Sequence, residues 1–230
     1  GNHDDEQDMT RQQLSDHIKN LPGNYTAQTP GLSGVTNFIL PLKSSDGTAT
    51  AFILYVFDSN SYYQLPHAKG YAGVQLDQVH WYIQQSKALT RANGGKPYPA
   101  AAFFHIPFPE YNEAAQDENT CLIGTRKERA CSSSLNNGLF SAMLQCGDVM
   151  ATFVGHDHIN DYAVNWKNIL LCYGRFTGGD TVYCNIPQGN GARVIELTEG
   201  QRSFKTWIRL RTGNVINQIN YPADYAPYKQ

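Results

Sequence analysis

Four features that would assign a chain to a class at once are missing from this one. No run of lysine or arginine occurs, and 18 basic against 20 acidic residues leave a net charge of −2. The electrostatic footprint of a nucleic-acid surface is therefore absent, and no nucleic-acid partner is expected. The apolar run from Ala51 to Phe57 falls far short of the roughly 20 residues a membrane helix needs, so no membrane partner is expected either. The five cysteines form no CxxC pair, which disfavours a structural zinc knuckle. No internal repeat or low-complexity tract marks a solenoid or a linker.

What is present fits one folded, rather polar domain over residues 1–230. A chain of this length hides roughly 70–75% of its unfolded surface. Cys121 and Cys131 bracket a polar stretch, and Cys172 and Cys184 bracket a Gly-rich one. Each pair reads as a disulfide candidate closing a surface loop, while Cys146, in an apolar context, reads as a buried thiol. Asn24-Tyr25-Thr26 is an N-glycosylation sequon. Sequon and bridges together point to a secreted protein or an endomembrane lumen. The chain opens within a motif, without an initiator Met or a signal peptide. A truncation, a cleavage product or an incomplete sequence is the expectation from that start.

Periodicity gives a helix over Thr10 to Leu21, with Thr10 as N-cap, and a second over Leu76 to Leu89 that Asn93-Gly94-Gly95 stops. Asn37 to Leu42 and Ala49 to Phe57 flank Asp46-Gly47, a hairpin signal. Ala100 to Ile106 and Val149 to Val154 are almost wholly apolar, as strands buried on both faces are. A helix is expected over Asn136 to Cys146, and strands at Ile169 to Tyr173, Ala192 to Leu197 and Ser203 to Arg211. Residues 110–135 form a long polar insert, expected to serve as a lid or rim over a site. The alternation implies an α/β fold, a layered sandwich with mixed sheets.

Two apolar strands end in histidine: Phe103-Phe104-His105-Ile106-Pro107 and Gly155-His156-Asp157-His158. Both should project from one edge of one sheet, where catalytic groups of open α/β sheets gather. His17, His67 and His80 lack neighbouring ligand types and read as structural. An Asn carboxamide oxygen and neutral imidazoles bind cations of the zinc, iron or manganese kind while importing little negative charge. Such cations stay net positive and able to receive an anionic phosphate, and a pair of them clamps ester oxygens and activates a water.

The order Gly1-Asn2-His3-Asp4, His105, then Gly155-His156-Asp157-His158 resembles the calcineurin-like metallophosphoesterase superfamily. More closely, Phe103 to Tyr111, Gly155 to Asp161, Leu171-Cys172-Tyr173-Gly174 and Ala192-Arg193-Val194 resemble its purple-acid-phosphatase-like branch. The resemblance runs along nearly the whole chain and implies an α/β/β/α sandwich with its N-terminal part missing. It implies that Asn2, His105 and His156 bind one metal and His158 another. By the same resemblance His3 sits near the scissile oxygen, Asp4 orients His3, and Tyr173 and Arg175 lie in a loop bordering the substrate. Asp157, between the two ligand histidines, should face away by strand alternation, in a structural role.

The family also uses an Asp-x-His and a Gly-Asp ahead of these motifs, and this sequence has no Asp-x-His. Gly147-Asp148 lies at the wrong end of a strand, and Gly179-Asp180 in a loop. At most one of the two metals is therefore expected in the isolated chain. The implied function is metal-dependent hydrolysis of phosphate esters, within a longer or two-piece protein. The alternative is a non-catalytic extracellular or self-assembling protein on the same scaffold, paired with an N-terminal segment or with copies of itself.

Overall fold

The computed structural model describes residues 1–179 and 183–226. Helix α1 (Arg11–Lys19) starts at Thr10, whose side chain and Gln13 form a capping box, each accepting from the other's backbone N–H. Strands β1 (Phe38–Lys43) and β2 (Thr50–Val56) pair antiparallel. Between them Gly47 takes a φ of 74°, and the Asp46 carboxylate accepts from Ser44 and Thr48. Helix α2 (Leu76–Ala92) buries Val79, Trp81 and Tyr82 and ends where Gly94 and Gly95 adopt positive φ.

The chain then runs through β3 (Ala100–Phe103), α3 (Glu110–Gln116), β4 (Leu122–Ile123), α4 (Leu139–Cys146) and β5 (Val149–Val154). It ends with β6 (Ala163–Trp166), β7 (Ile169–Tyr173), β8 (Gly191–Leu197), β9 (Phe204–Leu210) and β10 (Val215–Tyr221). A seven-stranded mixed sheet has the order β1-β2-β3-β5-β7-β6-β4, with β2, β3, β5 and β7 parallel. A three-stranded antiparallel sheet, β10-β9-β8, lies against one of its faces. The expected α/β fold with mixed sheets is what forms.

Every residue of β5 is buried because its two faces meet different layers. On one side Tyr55, Tyr82, Tyr111, Phe140 and Met143 pack around Val149 and Val154. On the other, Phe153 meets Phe103 and Phe204. Arg193, from β8, ties the layers together by donating from Nε to the Tyr173 carbonyl at 2.7 Å.

Residues 110–135 do more than edge the molecule. Helix α3 sends Tyr111 and Ala114 into the core, and β4 closes the sheet against β6. Asp148 sits at the start of β5, opposite the end that leads to His156, where the Tyr55 and Tyr82 hydroxyls donate to it. Asp180 lies outside the described residues.

The disulfide expectation is corrected. Cys121, Cys131, Cys146, Cys172 and Cys184 all carry free thiols. Cys172 lies mid-strand with its side chain in the core between the sheets, whereas the Cys184 thiol turns toward the Gly179 carbonyl. Cys131 is held by its own N–H, which donates to the Asp157 carboxylate at 3.1 Å. Burial pushes the Cys131 and Cys172 thiols up to about 12, with Asp157 adding to the shift at Cys131. Asn24 stands on a surface turn, its side-chain oxygen accepting from the Thr26 N–H at 2.6 Å. No helix of the described residues is long and apolar enough to cross a membrane.

Candidate metal centre

Parallel register brings the two histidine strands level. Phe103 pairs with Phe153, and the Gly155 N–H donates to the His105 carbonyl at 3.3 Å. His105 and His156 therefore leave one edge of the sheet side by side, their ring centroids 5.0 Å apart. Asn2 packs against them and is 1% exposed. Asn2 Oδ1 lies 2.9 Å from His105 Nε2, and His156 Nδ1 lies 3.2 Å from the same atom.

Those separations suit a shared cation. Ligand atoms about 2.0–2.2 Å from one ion, and 90° to 109° apart around it, stand about 3–3.5 Å from each other. The Asn2 amide nitrogen is buried without a hydrogen-bond partner, so its oxygen is the atom committed to the cluster. Both imidazoles favour the neutral, ligating form. Burial is the main cause at each, and it takes His105 down to about 3. His156, His158 and His3 add positive charge beside His105, whereas Asp157 partly opposes the shift at His156. Among the described residues no group of three or more His, Cys, Asp or Glu side chains is arranged to hold a metal ion. The convergence consists of two imidazoles and a carboxamide.

His158 is placed differently. Its ring is sandwiched between Phe176 at 4.6 Å and Tyr183 at 4.7 Å, nearly parallel to both. Its Nδ1 stands 3.1 Å from the Tyr183 carbonyl oxygen. A carbonyl only accepts, so Nδ1 is the donor here, which makes Nε2 the nitrogen that would face a cation. His158 is close enough to lower the pKa of both other histidines, yet no contact joins it to Asn2 or His105.

The remaining expected residues divide. His3 is exposed, and its Nδ1 pairs with Glu6 at 2.7 Å. Asp4 is exposed, and the carboxylate in contact with His3 is Glu6. Tyr173 and Arg175 are not at a substrate edge. Tyr173 is fully buried, its hydroxyl donating to Asp157. Arg175 is buried in an ion pair with Asp161 at 2.6 Å. Both are framework, because the strand end on which they sit is covered by the loop that follows it. Asp157 is buried, accepting from the Tyr173 hydroxyl and the Cys131 N–H, and Asn160 Oδ1 accepts from the N–H groups of Lys127 and Glu128.

Two contributors carried no signal in the sequence. Ser59 Oγ accepts from the N–H groups of His105 and Ile106 at 3.2 and 2.9 Å, fixing the turn that aims the imidazole. Tyr71 stands edge-on to His156 at 4.4 Å. A serine after Phe57-Asp58 and a tyrosine beside glycine are too common to single out. On the opposite flank a cavity of about 140 Å³ opens between α1 and His105, where Arg11 pairs with Asp58 at 2.8 Å.

Comparison with known proteins adds the context. The chain is 33% identical to probable inactive purple acid phosphatase 29 of Arabidopsis thaliana, over 91% of this chain and 59% of that protein. It is 31% identical to probable inactive purple acid phosphatase 14 of the same plant, over 93% of this chain and 59% of that protein. Against phosphatase DCR2 of Saccharomyces cerevisiae the identity is 32%, over 91% of this chain and 38% of that protein. No family model matches. The chain spans about three fifths of the length of the two plant relatives.

Proposed function

Since this chain belongs to the purple-acid-phosphatase-like family, we propose that it forms part of a metal-dependent phosphoesterase, hydrolysing phosphate monoesters. The observation that carries this reading is the convergence of Asn2 Oδ1, His105 Nε2 and His156 Nδ1 within 3.2 Å contacts. These three side chains hold one cation of the zinc, iron or manganese class. His158 offers Nε2 to a second, whose other ligands come from outside this sequence, in an N-terminal segment or another chain. When bound, such cations supply Lewis acidity and lower the pKa of a water. His3, exposed at the mouth and paired with Glu6, is the proton donor to the departing alcohol. Asn2 and the neutral imidazoles add no negative charge, which leaves the centre attractive to a phosphate oxyanion. The sequon at Asn24 supports a secretory or lumenal compartment.

A second reading has its own support. The three-donor centre contains no carboxylate, and both plant relatives carry the words probable inactive in their names. On that reading the fold keeps a metal or a phosphate without turning it over.

Zinc titration by calorimetry, run beside hydrolysis of 4-nitrophenyl phosphate, separates the two. We expect one zinc per wild-type chain, and its loss in His156→Ala with the far-UV spectrum unchanged. Zinc binding that His156→Ala leaves intact removes the assignment. Binding by the wild type, with no hydrolysis even when a segment carrying the missing Asp-x-His and Gly-Asp is supplied, selects the second reading.

A further inference from the structure

The segment between β2 and α2 carries a feature that the metal centre does not use. Tyr62 and Tyr71 face each other across a small hairpin. Their rings stack at 5.4 Å with 25° between planes, and Tyr71 in turn meets His156 edge-on at 4.4 Å. An aromatic ladder therefore runs outward from a proposed metal ligand to solvent. Its outer rung, Tyr62, is 44% exposed, and Leu65 beside it is exposed as well.

The hairpin is anchored as a rigid element. The Tyr63, Ala72 and Gly73 N–H groups donate to the carbonyls of Gly70, Ser61 and Ser59 at 2.8–3.0 Å. Ser61 Oγ donates to the Asn2 carbonyl at 3.2 Å, which ties the hairpin to the segment carrying a metal donor. The Ser134 N–H donates to the Tyr71 carbonyl at 2.9 Å. Gly70 and Gly73 adopt positive φ, and a Cβ at either would stand within 2.8 Å of Ser133 or Ser134. Only glycine allows that close approach. An exposed tyrosine pair on a loose loop would be an ordinary surface feature. A stacked pair on an anchored hairpin, in contact with the centre, is a preformed flat surface.

We infer that Tyr62 and Tyr71 form the stacking platform for the alcohol portion of the ester, and that this portion is planar and aromatic. The inference rests on the phosphate-binding reading above, because phosphate at the three-donor centre is what puts the esterified group beside Tyr71. Charge agrees with it. From Ser59 to Gly73 the hairpin contains Lys69 and His67 and no acidic residue, as suits an anionic ester. Aromatic faces hold planar groups by stacking whatever the substituents. The platform therefore selects a class, aryl or base-bearing esters over alkyl ones, rather than one compound.

Phenylphosphonate and methylphosphonate test this without turnover, since their P–C bond survives hydrolysis. Both are titrated by calorimetry into zinc-loaded wild type, Tyr62→Ala and Tyr62→Phe. We expect phenylphosphonate to bind the wild type about ten-fold more tightly than methylphosphonate. Tyr62→Ala should remove that preference and leave methylphosphonate unchanged, and Tyr62→Phe should keep it. Equal binding of the two probes by the wild type overturns the platform alone. Equal loss of both in Tyr62→Ala does the same, by making the residue a support of the fold. Absence of binding by both probes overturns the platform together with the phosphate reading beneath it.

Discussion

The two sides of the centre are built by different means, and the contrast explains why one is tight and the other is not. Asn2, His105 and His156 form the tight side, and its histidines hang from the ends of adjacent parallel strands. Sheet hydrogen bonds set that register, so the side chains meet whether or not a cation draws them together. His158 lies two residues beyond His156, past the end of β5. Its position is set by stacking between Phe176 and Tyr183 on the loop after β7. Strand-borne donors inherit the rigidity of the sheet, whereas a loop-borne donor is only as fixed as whatever grips it. In a sheet-built centre, preorganisation belongs to the donors closest to the last ladder bond.

The strongest way to break this arrangement acts on the grip beneath the loop. Arg175 and Asp161 pair at 2.6 Å with both side chains fully buried, and Arg175 Nε donates to the Gly189 carbonyl at 2.9 Å. The pair pins the loop after β7 to the turn after His158. Replacing Arg175 with Met leaves the Asp161 charge buried without its partner, a loss of about 3–5 kcal/mol. Urea denaturation should show that loss, and Asp161→Asn added to Arg175→Met should recover part of it. A double variant no better than the single would mean that the pair itself was not holding the loop.

A milder change strikes the strand side. Ser59→Ala removes the acceptor of the His105 and Ile106 N–H groups, leaving buried donors unpaired at a cost of about 1–3 kcal/mol. Because the same hydroxyl fixes the turn that aims His105, zinc affinity should fall by about ten-fold. Calorimetry beside a melting curve measures both. Unchanged zinc affinity in Ser59→Ala would show that strand register alone positions the imidazole.

The parts of this arrangement readable in the sequence are those that strand and helix periods encode. Unbroken apolar runs located β3 and β5, and the breakers after them put His105 and His156 at one edge. Thr10 and the Asn93-Gly94-Gly95 stop bounded their helices to within a few residues. What escaped did so for physical reasons. Strand β6 has four residues buried on both faces, too few to show a period. In β10 the alternation is interrupted by a register shift near Asn217, whose φ is 53°. Helix α3 is two turns long and announces itself only through Tyr111 and Ala114. The cysteine reading failed because spacing along the chain says nothing of which face a strand residue takes, and Cys172 faces the core between the sheets. Tyr173 and Arg175 were misplaced for the same reason. The stacked pair Tyr62 and Tyr71 depends on a hairpin whose glycines are legible only once Ser133 and Ser134 are seen beside them.

The smallest effect serves as a control on the strand side, downstream of His105. Glu110 opens α3 and is buried, with one carboxyl oxygen accepting from Asn136 at 2.9 Å and the other unpaired. A helix N-terminus favours a carboxylate, yet burial outweighs that here and raises the Glu110 pKa above its ordinary 4.5. A carboxyl whose folded pKa is raised holds its proton more tightly in the native chain than in the unfolded one. Stability from this group is therefore greatest below about 4.5 and falls as pH climbs through the raised value. Glu110→Gln removes that penalty. Its melting temperature should match the wild type at pH 4 and exceed it at pH 7 by about 2–4 °C, the shift that about 1 kcal/mol makes in a chain of this length. Zinc affinity should not change, because Glu110 touches none of the three donors. A Gln variant less stable than the wild type at pH 7 would mean that the carboxylate, through Asn136, stabilises the native state, and that the strand side draws on a charge where this structure shows only packing.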